Sequence, residues 1–318
     1  MIMVNFYEKL IKDKSEIKVV NDNINDFDFI SLENKSYNLK NLGKCPYCKS
    51  KEFIKYGMYN GNQRYKCKDN LCGKTFTSEF YNKFRYSKKF KEKYKEYFEL
   101  LNKGLTLREC AEKLNITFVT SFFWRHRFLV DFKSKYYLEK ISSHVELSKM
   151  RVIENFKGAR NLKDIKRDEI TVITALNDSK DIIPIIAARK FFGFYEIRDN
   201  IIPRLNKNAY VVGVIDGKLK NFAKAFNKIY KAKFKKEYEN RIDITYSVNT
   251  KKWLYKFRGI ASKYLDSYLY WRLFEYKKDF QFNKDTLLNK EKKSDCCLKY
   301  EINSYISWKN IKAQKLIV

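Results

Sequence analysis

An α+β protein of several domains is the fold class this sequence predicts, on three observations. Four cysteines fall in two close pairs, at positions 45 and 48 and at 67 and 72. Apolar residues then recur at helical spacing between 79 and 135. In the second half, runs of β-branched residues alternate with helical patterns. The 318 residues suffice for one large or two modest domains with a proper core. The expected organisation is an N-terminal extension over 1–40, a cysteine-bearing module over 41–78, a helical region over 79–135, an α/β domain over 140–278 and a charged tail over 279–318.

Composition narrows the class. Sixty-seven Lys and Arg against 37 Asp and Glu leave a formal net charge of +30. Hydrophobic content of 44% with 17% aromatics excludes a disordered polycation. No apolar run reaches the length of about 18 residues that a membrane-spanning helix needs. Glu8, Lys9 and Lys12 interrupt the N-terminus before an apolar stretch can form, so no secretory signal is expected. A folded, intracellular, strongly basic protein remains, and its expected partner is a polyanion. Lys far outnumbers Arg, and Ile, Asn, Tyr and Phe are plentiful, which is also the imprint of an A/T-rich coding sequence. Charge therefore points to nucleic acid without naming an activity.

The cysteines carry the sharpest pattern. Cys45-Pro-Tyr-Cys48 is followed after eighteen residues by Cys67-Lys-Asp-Asn-Leu-Cys72. Two close pairs separated by a hairpin's length of chain suit four thiolates around one tetrahedral Zn²⁺. Phe53–Tyr56 and Gln63–Tyr65 read as strands about the turn Asn60-Gly61-Asn62, and Gly73–Phe76 as a further strand. This is a zinc ribbon with Cys45, Cys48, Cys67 and Cys72 as ligands. Four protein ligands leave no place for a water, so the expected metal is structural. The alternative, two disulfides, fits poorly with a chain that lacks an export signal. Cys110 falls on an apolar helix face as a buried small residue. The vicinal Cys296 and Cys297 have no explanation.

From Glu79 to Leu101, Tyr81, Phe84, Phe90, Tyr94, Tyr97 and Leu101 trace an amphipathic helix with lysines interleaved. Its basic face is either solvated or in contact with phosphates. Thr106 is placed to N-cap the next helix, with Glu109 completing a capping box. Asn115-Ile116 makes a turn, and Thr117 starts another helix through Phe122, Trp124 and Leu129. Two short helices and a tight turn describe a helix-turn-helix. Thr117, Thr120 and Ser121 would then face the major groove of double-stranded DNA, with Arg125 and Arg127 near phosphates. An ordinary helical hairpin with an aromatic core is the competing reading. His126 is expected as a packing or phosphate residue.

Strands are expected at Val145–Ile153, Ile170–Leu176 and Ile182–Ala188, then a helix near Tyr195–Ile202. A short strand, Tyr210–Ile215, ends in Asp216, and the following helix carries Leu219, Phe222, Phe226 and Ile229. A last long helix is expected from Asn249 to Glu275. That order belongs to an RNase H-like α/β domain with a mixed sheet. In such folds carboxylates at strand ends converge on Mg²⁺. A lone Asp after a strand also serves simply as a helix N-cap.

Together, the cysteine ribbon, the helical pair ending in Trp124-Arg125-His126-Arg127, Phe156-Lys157-Gly158, Val214-Ile215-Asp216-Gly217 and Phe257-Arg258-Gly259-Ile260-Ala261-Ser262-Lys263-Tyr264-Leu265 resemble the DDE-type transposases of bacterial insertion sequences. The closest group is the one related to eukaryotic Merlin elements. The resemblance covers roughly residues 40 to 278. It implies Mg²⁺-dependent phosphoryl transfer on element-end inverted repeats, a homodimer that joins two ends, and a cytoplasmic, nucleoid-associated protein (nuclear in a eukaryote). By the same resemblance Asp216 matches the second catalytic Asp. Asn249 matches the third residue.

The first catalytic Asp has no counterpart. Where the family has Val-Glu-x-Asp-Glu, this chain reads Val145-Glu146-Leu147-Ser148-Lys149. A hydroxyl and an ammonium replace two carboxylates, which leaves Asp216 as the one charged member of the triad. Glu146 lies two residues before Ser148 on the same strand face and is the candidate substitute ligand. Three expectations follow: a transposase with DNA recognition intact and cleavage impaired, a DNA-binding regulator without chemistry, or an enzyme using substitute ligands.

Overall fold

The computed structural model describes residues 6–9, 11–12, 44–59, 61–77, 88–156, 166–234, 244–257, 259–286 and 308–316. The chain divides into two units. One comprises Phe27–Ser134 and Asn289–Ile311, the other Met1–Asp26, Lys135–Leu288 and Lys312–Val318. Among the described residues no helix is long and apolar enough to cross a membrane.

The unit containing the four cysteines begins with a three-stranded antiparallel sheet: β1 (Phe53–Tyr59), β2 (Asn62–Cys67) and β3 (Thr75–Thr77), in that order. Aromatic and β-branched residues alternate here, so one face buries Phe53, Tyr65 and Phe76 against Cys45 and Cys67. Tyr65 and Phe76 stack at 5.8 Å, and Phe53 meets both edge-on.

Three helices follow: α1 (Lys88–Asn102), α2 (Leu107–Lys113) and α3 (Phe118–Tyr136). The segment 79–87, where the basic helix was expected to start, lies outside the described residues. The capping box at α2 is formed: Thr106 Oγ1 accepts from the Glu109 amide at 3.3 Å, and Glu109 Oε2 accepts from the Thr106 amide at 2.7 Å. Thr117 Oγ1 accepts from the Thr120 amide and opens α3 in the same manner. Phe90, Tyr97 and Phe98 of α1 pack on Trp124, Phe128 and Phe132 of α3, with Phe90 edge-on to Trp124 at 5.1 Å. From the expected charged tail, Trp308 sets its ring edge-on against Phe122 and Phe123. Cys110 is buried as expected, and Cys296 and Cys297 lie outside the described residues.

The other unit holds a four-stranded sheet: β4 (His144–Ile153), β5 (Glu169–Asn177), β6 (Ile182–Arg189) and β7 (Tyr210–Gly213), arranged β6-β5-β4-β7. The β4/β5 and β5/β6 pairs are antiparallel and β7 runs parallel to β4, so the sheet is mixed. A helical stretch over 194–204 passes from an α turn through a π turn to a 3₁₀ turn at Pro203. Helix α4 (Gly217–Ile229) returns along the sheet. Gly213 is where α4 comes closest to β7: a Cβ there would lie 2.3 Å from the Leu219 carbonyl carbon. Val145, Leu147, Val211, Leu219, Phe222 and Phe226 form the centre of this core.

Two expectations change in this unit. The helix drawn from Asn249 to Glu275 is two helices, α5 (Ile244–Tyr255) and α6 (Leu265–Thr286), separated by Gly259 and a 3₁₀ turn at Ser262–Tyr264. Gly259 has φ +100, and a Cβ on it would meet Asn155 Nδ2, so the chain turns here where a helix could not. The N-terminal extension contributes to the core: Tyr7 and Ile11 are both buried in it, and Tyr7 meets Phe194 and Phe222 edge-on. Another helix, α7 (Trp308–Ala313), lies near the end of the chain.

Candidate functional site

Two local turns bring the four thiols together. In the first, the Cys45 amide donates to Ser50 O and the Lys49 amide to Cys45 O. In the second, the amides of Cys72 and Gly73 both donate to Asp69 O, and Asp69 Oδ1 accepts from the Leu71 amide. All four Sγ atoms lie within 4.8 Å of one another, with Cys45 to Cys72 at 3.8 Å and Cys48 to Cys67 at 3.5 Å. A disulfide requires about 2.05 Å, so these are not bridges. A tetrahedral zinc–thiolate site with bonds of about 2.3 Å has edges of about 3.8 Å. The cluster can hold a metal ion such as zinc.

The helical pair keeps only part of the expected polar face outside. Thr117 is exposed and Thr120 half-buried at the start of α3, their hydroxyls 2.8 Å apart. Ser121, Arg125 and Arg127 correct the sequence expectation, because all three are buried. Ser121 Oγ donates to Leu107 O, and Arg125 Nη2 donates to Leu105 O at 2.7 Å. Arg127 lays its guanidinium 4.1 Å from the centre of the Phe90 ring. A planar cation with a long aliphatic stem packs well between aromatic rings, and this core is rich in them. His126 is also buried, 4.3 Å from the Phe122 ring, and is a packing residue. Phe118 and Val119, exposed between the two threonines, were missed. Side-chain type misleads over Phe118–Phe123, where polar Ser121 is buried while apolar Phe118 and Val119 face out.

At the end of β7, Asp216 uses both carboxylate oxygens. Oδ1 accepts from the amides of Lys218 and Leu219 at 3.0 and 3.2 Å and caps α4. Oδ2 accepts from Lys149 Nζ in a part-buried ion pair. Partial burial pushes the Asp216 carboxyl up, but the Lys149 hydrogen bond and the helix amides outweigh it and hold it below its ordinary range. The folded value lies under the unfolded one, so the stabilisation is full above about pH 4 and is lost as pH falls through the folded value. Asp216→Asn, which leaves Lys149 without its counter-charge, should cost about 2 kcal/mol at neutral pH. Thermal melts should show the gap to the unaltered protein closing below pH 4. A constant gap would contradict this assignment.

The other expected catalytic positions do not converge on Asp216. Successive strand residues point to opposite faces. Lys149 therefore reaches Asp216, while Ser148 faces α5 and hydrogen-bonds Ser247. Glu146, buried, shares the Ser148 face. Asn249 does not open a helix: it is the sixth residue of α5, exposed, and about 200° round the helix from Ser247. Among the described residues, the four cysteines are the only group of three or more His, Cys, Asp or Glu placed to hold a metal. The residues expected to take Mg²⁺ do not fit that ion.

Ile215, just before Asp216, has φ +64 and is 73% exposed. This conformation costs a residue with a Cβ about 1–2 kcal/mol, more than the entropy glycine gives up. Ile215→Gly should stabilise the unit by about 0.5–1 kcal/mol in urea denaturation. A loss of stability would show that the exposed side chain makes a contact in solution.

No family model matches the chain, and neither a curated protein nor a solved structure shows significant similarity to it.

Proposed function

We propose that this chain is a double-stranded DNA-binding protein of transposase descent whose sheet domain no longer cuts DNA. The observation that carries the reading is the Lys149–Asp216 pair, which puts an ammonium where the transposase resemblance calls for a metal ion. Support for the descent comes from the sheet order β6-β5-β4-β7, with three antiparallel strands and a parallel fourth, the arrangement expected of an RNase H-like domain. Support for DNA binding comes from the +30 charge, the cysteine cluster as a structural zinc ribbon, and the exposed start of α3 as the reading end of a helix-turn-helix. A homodimer on paired inverted repeats, in the nucleoid, completes the reading by resemblance.

The test offers the protein the DNA flanking its own coding sequence, with and without Mg²⁺. Selective duplex binding that ignores Mg²⁺, falls steeply with salt and produces no nicks is the expected result. Mg²⁺-dependent cleavage by the unaltered protein, abolished by Asp216→Ala, would overturn it. Ser148→Asp combined with Lys149→Glu asks whether the lost chemistry is recoverable from this backbone.

A further inference from the structure

The two faces of the ribbon sheet differ in kind. Phe53, Tyr65 and Cys67 point inward, so alternation turns Ile54 and Tyr56 of β1 outward beside Arg64 and Lys66 of β2. Ile54 stands directly opposite Lys66. Gly57, at φ +71, lies within the irregularity between Lys55 and Met58, beyond which Met58 and Tyr59 stand exposed near the hairpin tip. Tyr56 is 48% exposed, with the Arg64 guanidinium 5.5 Å and Lys66 Nζ 5.3 Å from the centre of its ring. A hydrogen bond of 2.9 Å from Arg64 Nη2 to Thr75 Oγ1 fixes the guanidinium there. Residues 44–77 contain eight Lys or Arg against two acidic residues.

We infer that this outward face binds single-stranded DNA. Bases stack on Tyr56 and Tyr59, while Arg64 and Lys66 meet the backbone phosphates. Exposed apolar residues clustered on so small a module mark an interaction surface. An exposed ring with two cations near it fits a polyanion that also carries flat π-faces. Duplex bases spend those faces on each other, and an unpaired strand leaves them available. Stacking of this kind tolerates any sequence, so the platform would hold a strand without reading it. The inference goes beyond duplex recognition and stands on other residues, so either can fail alone.

The experiment uses the full-length, zinc-loaded protein and fluorescence anisotropy with labelled oligothymidylate and, separately, a blunt hairpin duplex. Tyr56→Ala should weaken oligothymidylate binding about tenfold, and Tyr56→Phe should hold it within about twofold. Duplex affinity and zinc content should stay level in both variants. Equal losses on both DNAs, or none from Tyr56→Ala, would overturn the inference. So would a change in assembly mass with Tyr56→Ala, which would make this face a contact between copies. Photo-cross-linking from 5-iodouridine in a labelled single strand should map to the 53–67 hairpin of the unaltered protein, and mapping elsewhere would overturn the inference without any variant. Loss of duplex binding alone would remove the proposed function and leave this platform standing.

Discussion

Chelating any metal that the four-cysteine cluster holds, or replacing Cys67 with Ser, should unfold residues 44–77 while the sheet unit keeps its own transition. The ribbon core comprises Tyr65, Phe76 and the thiols of Cys45 and Cys67, with Phe53 and Cys72 packed against it. That is far too little apolar burial to offset the conformational entropy of some thirty ordered residues. Binding free energy at a structural zinc site, about 10–16 kcal/mol in zinc-finger peptides, is then in effect the folding free energy. Hydrogen exchange should show the β1–β3 amides losing protection on chelation, with those of β4–β7 unchanged. Protection of β1–β3 that survives chelation would remove the metal from the account of this module.

Gly213→Ala should be among the most damaging single substitutions in the sheet unit, at about 3 kcal/mol or more. A Cβ at this position would lie 2.3 Å from the Leu219 carbonyl carbon and 2.4 Å from both its oxygen and the Lys220 amide nitrogen. All three are backbone atoms of α4, so no rotamer change relieves the overlap, and the helix must lift from β7. Lifting it uncovers Leu219 and Phe222 and pulls the amides of Lys218 and Leu219 from Asp216. Urea denaturation should record the loss, together with a weaker Lys149–Asp216 pair. A change under about 1 kcal/mol would mean that α4 seats on the strand less closely than these contacts require.

What could be read from the sequence was what short stretches decide among themselves. Thr106 and Glu109 announce a capping box because both partners lie within one turn. The strands of the larger sheet hold to within a residue or two because a continuous β-branched run is a local signal, as at Ile182–Arg189, while β1 runs three residues past its expected end at Tyr56. The cysteine spacings foretold four thiols meeting at one point. Residues whose role depends on distant partners were not legible. Arg125 and Arg127 look like phosphate ligands until α1 and the 105–110 segment supply acceptors and an aromatic ring. The break between α5 and α6 turns on a contact between Gly259 and Asn155. For Asp216 the sequence left metal ligand and helix cap open, and the geometry gives the cap, with Lys149 as an added partner.

The burial of Tyr7 against Phe222 bears on how the molecule is assembled during synthesis. These rings are 6.0 Å apart and separated by 215 positions in the chain. On the ribosome the ribbon strands pair with near neighbours, and α1 meets α3 within about fifty residues, although the Trp308 contact of α3 comes much later. The first helical residues emerge before either, yet must wait, apolar side chains in water, until residue 222 has been made. Closing a loop that long adds little to the final stability cost but delays the rewarding contacts. The core of the sheet unit therefore cannot close until residue 222 has been made, 215 positions after the Tyr7 it encloses.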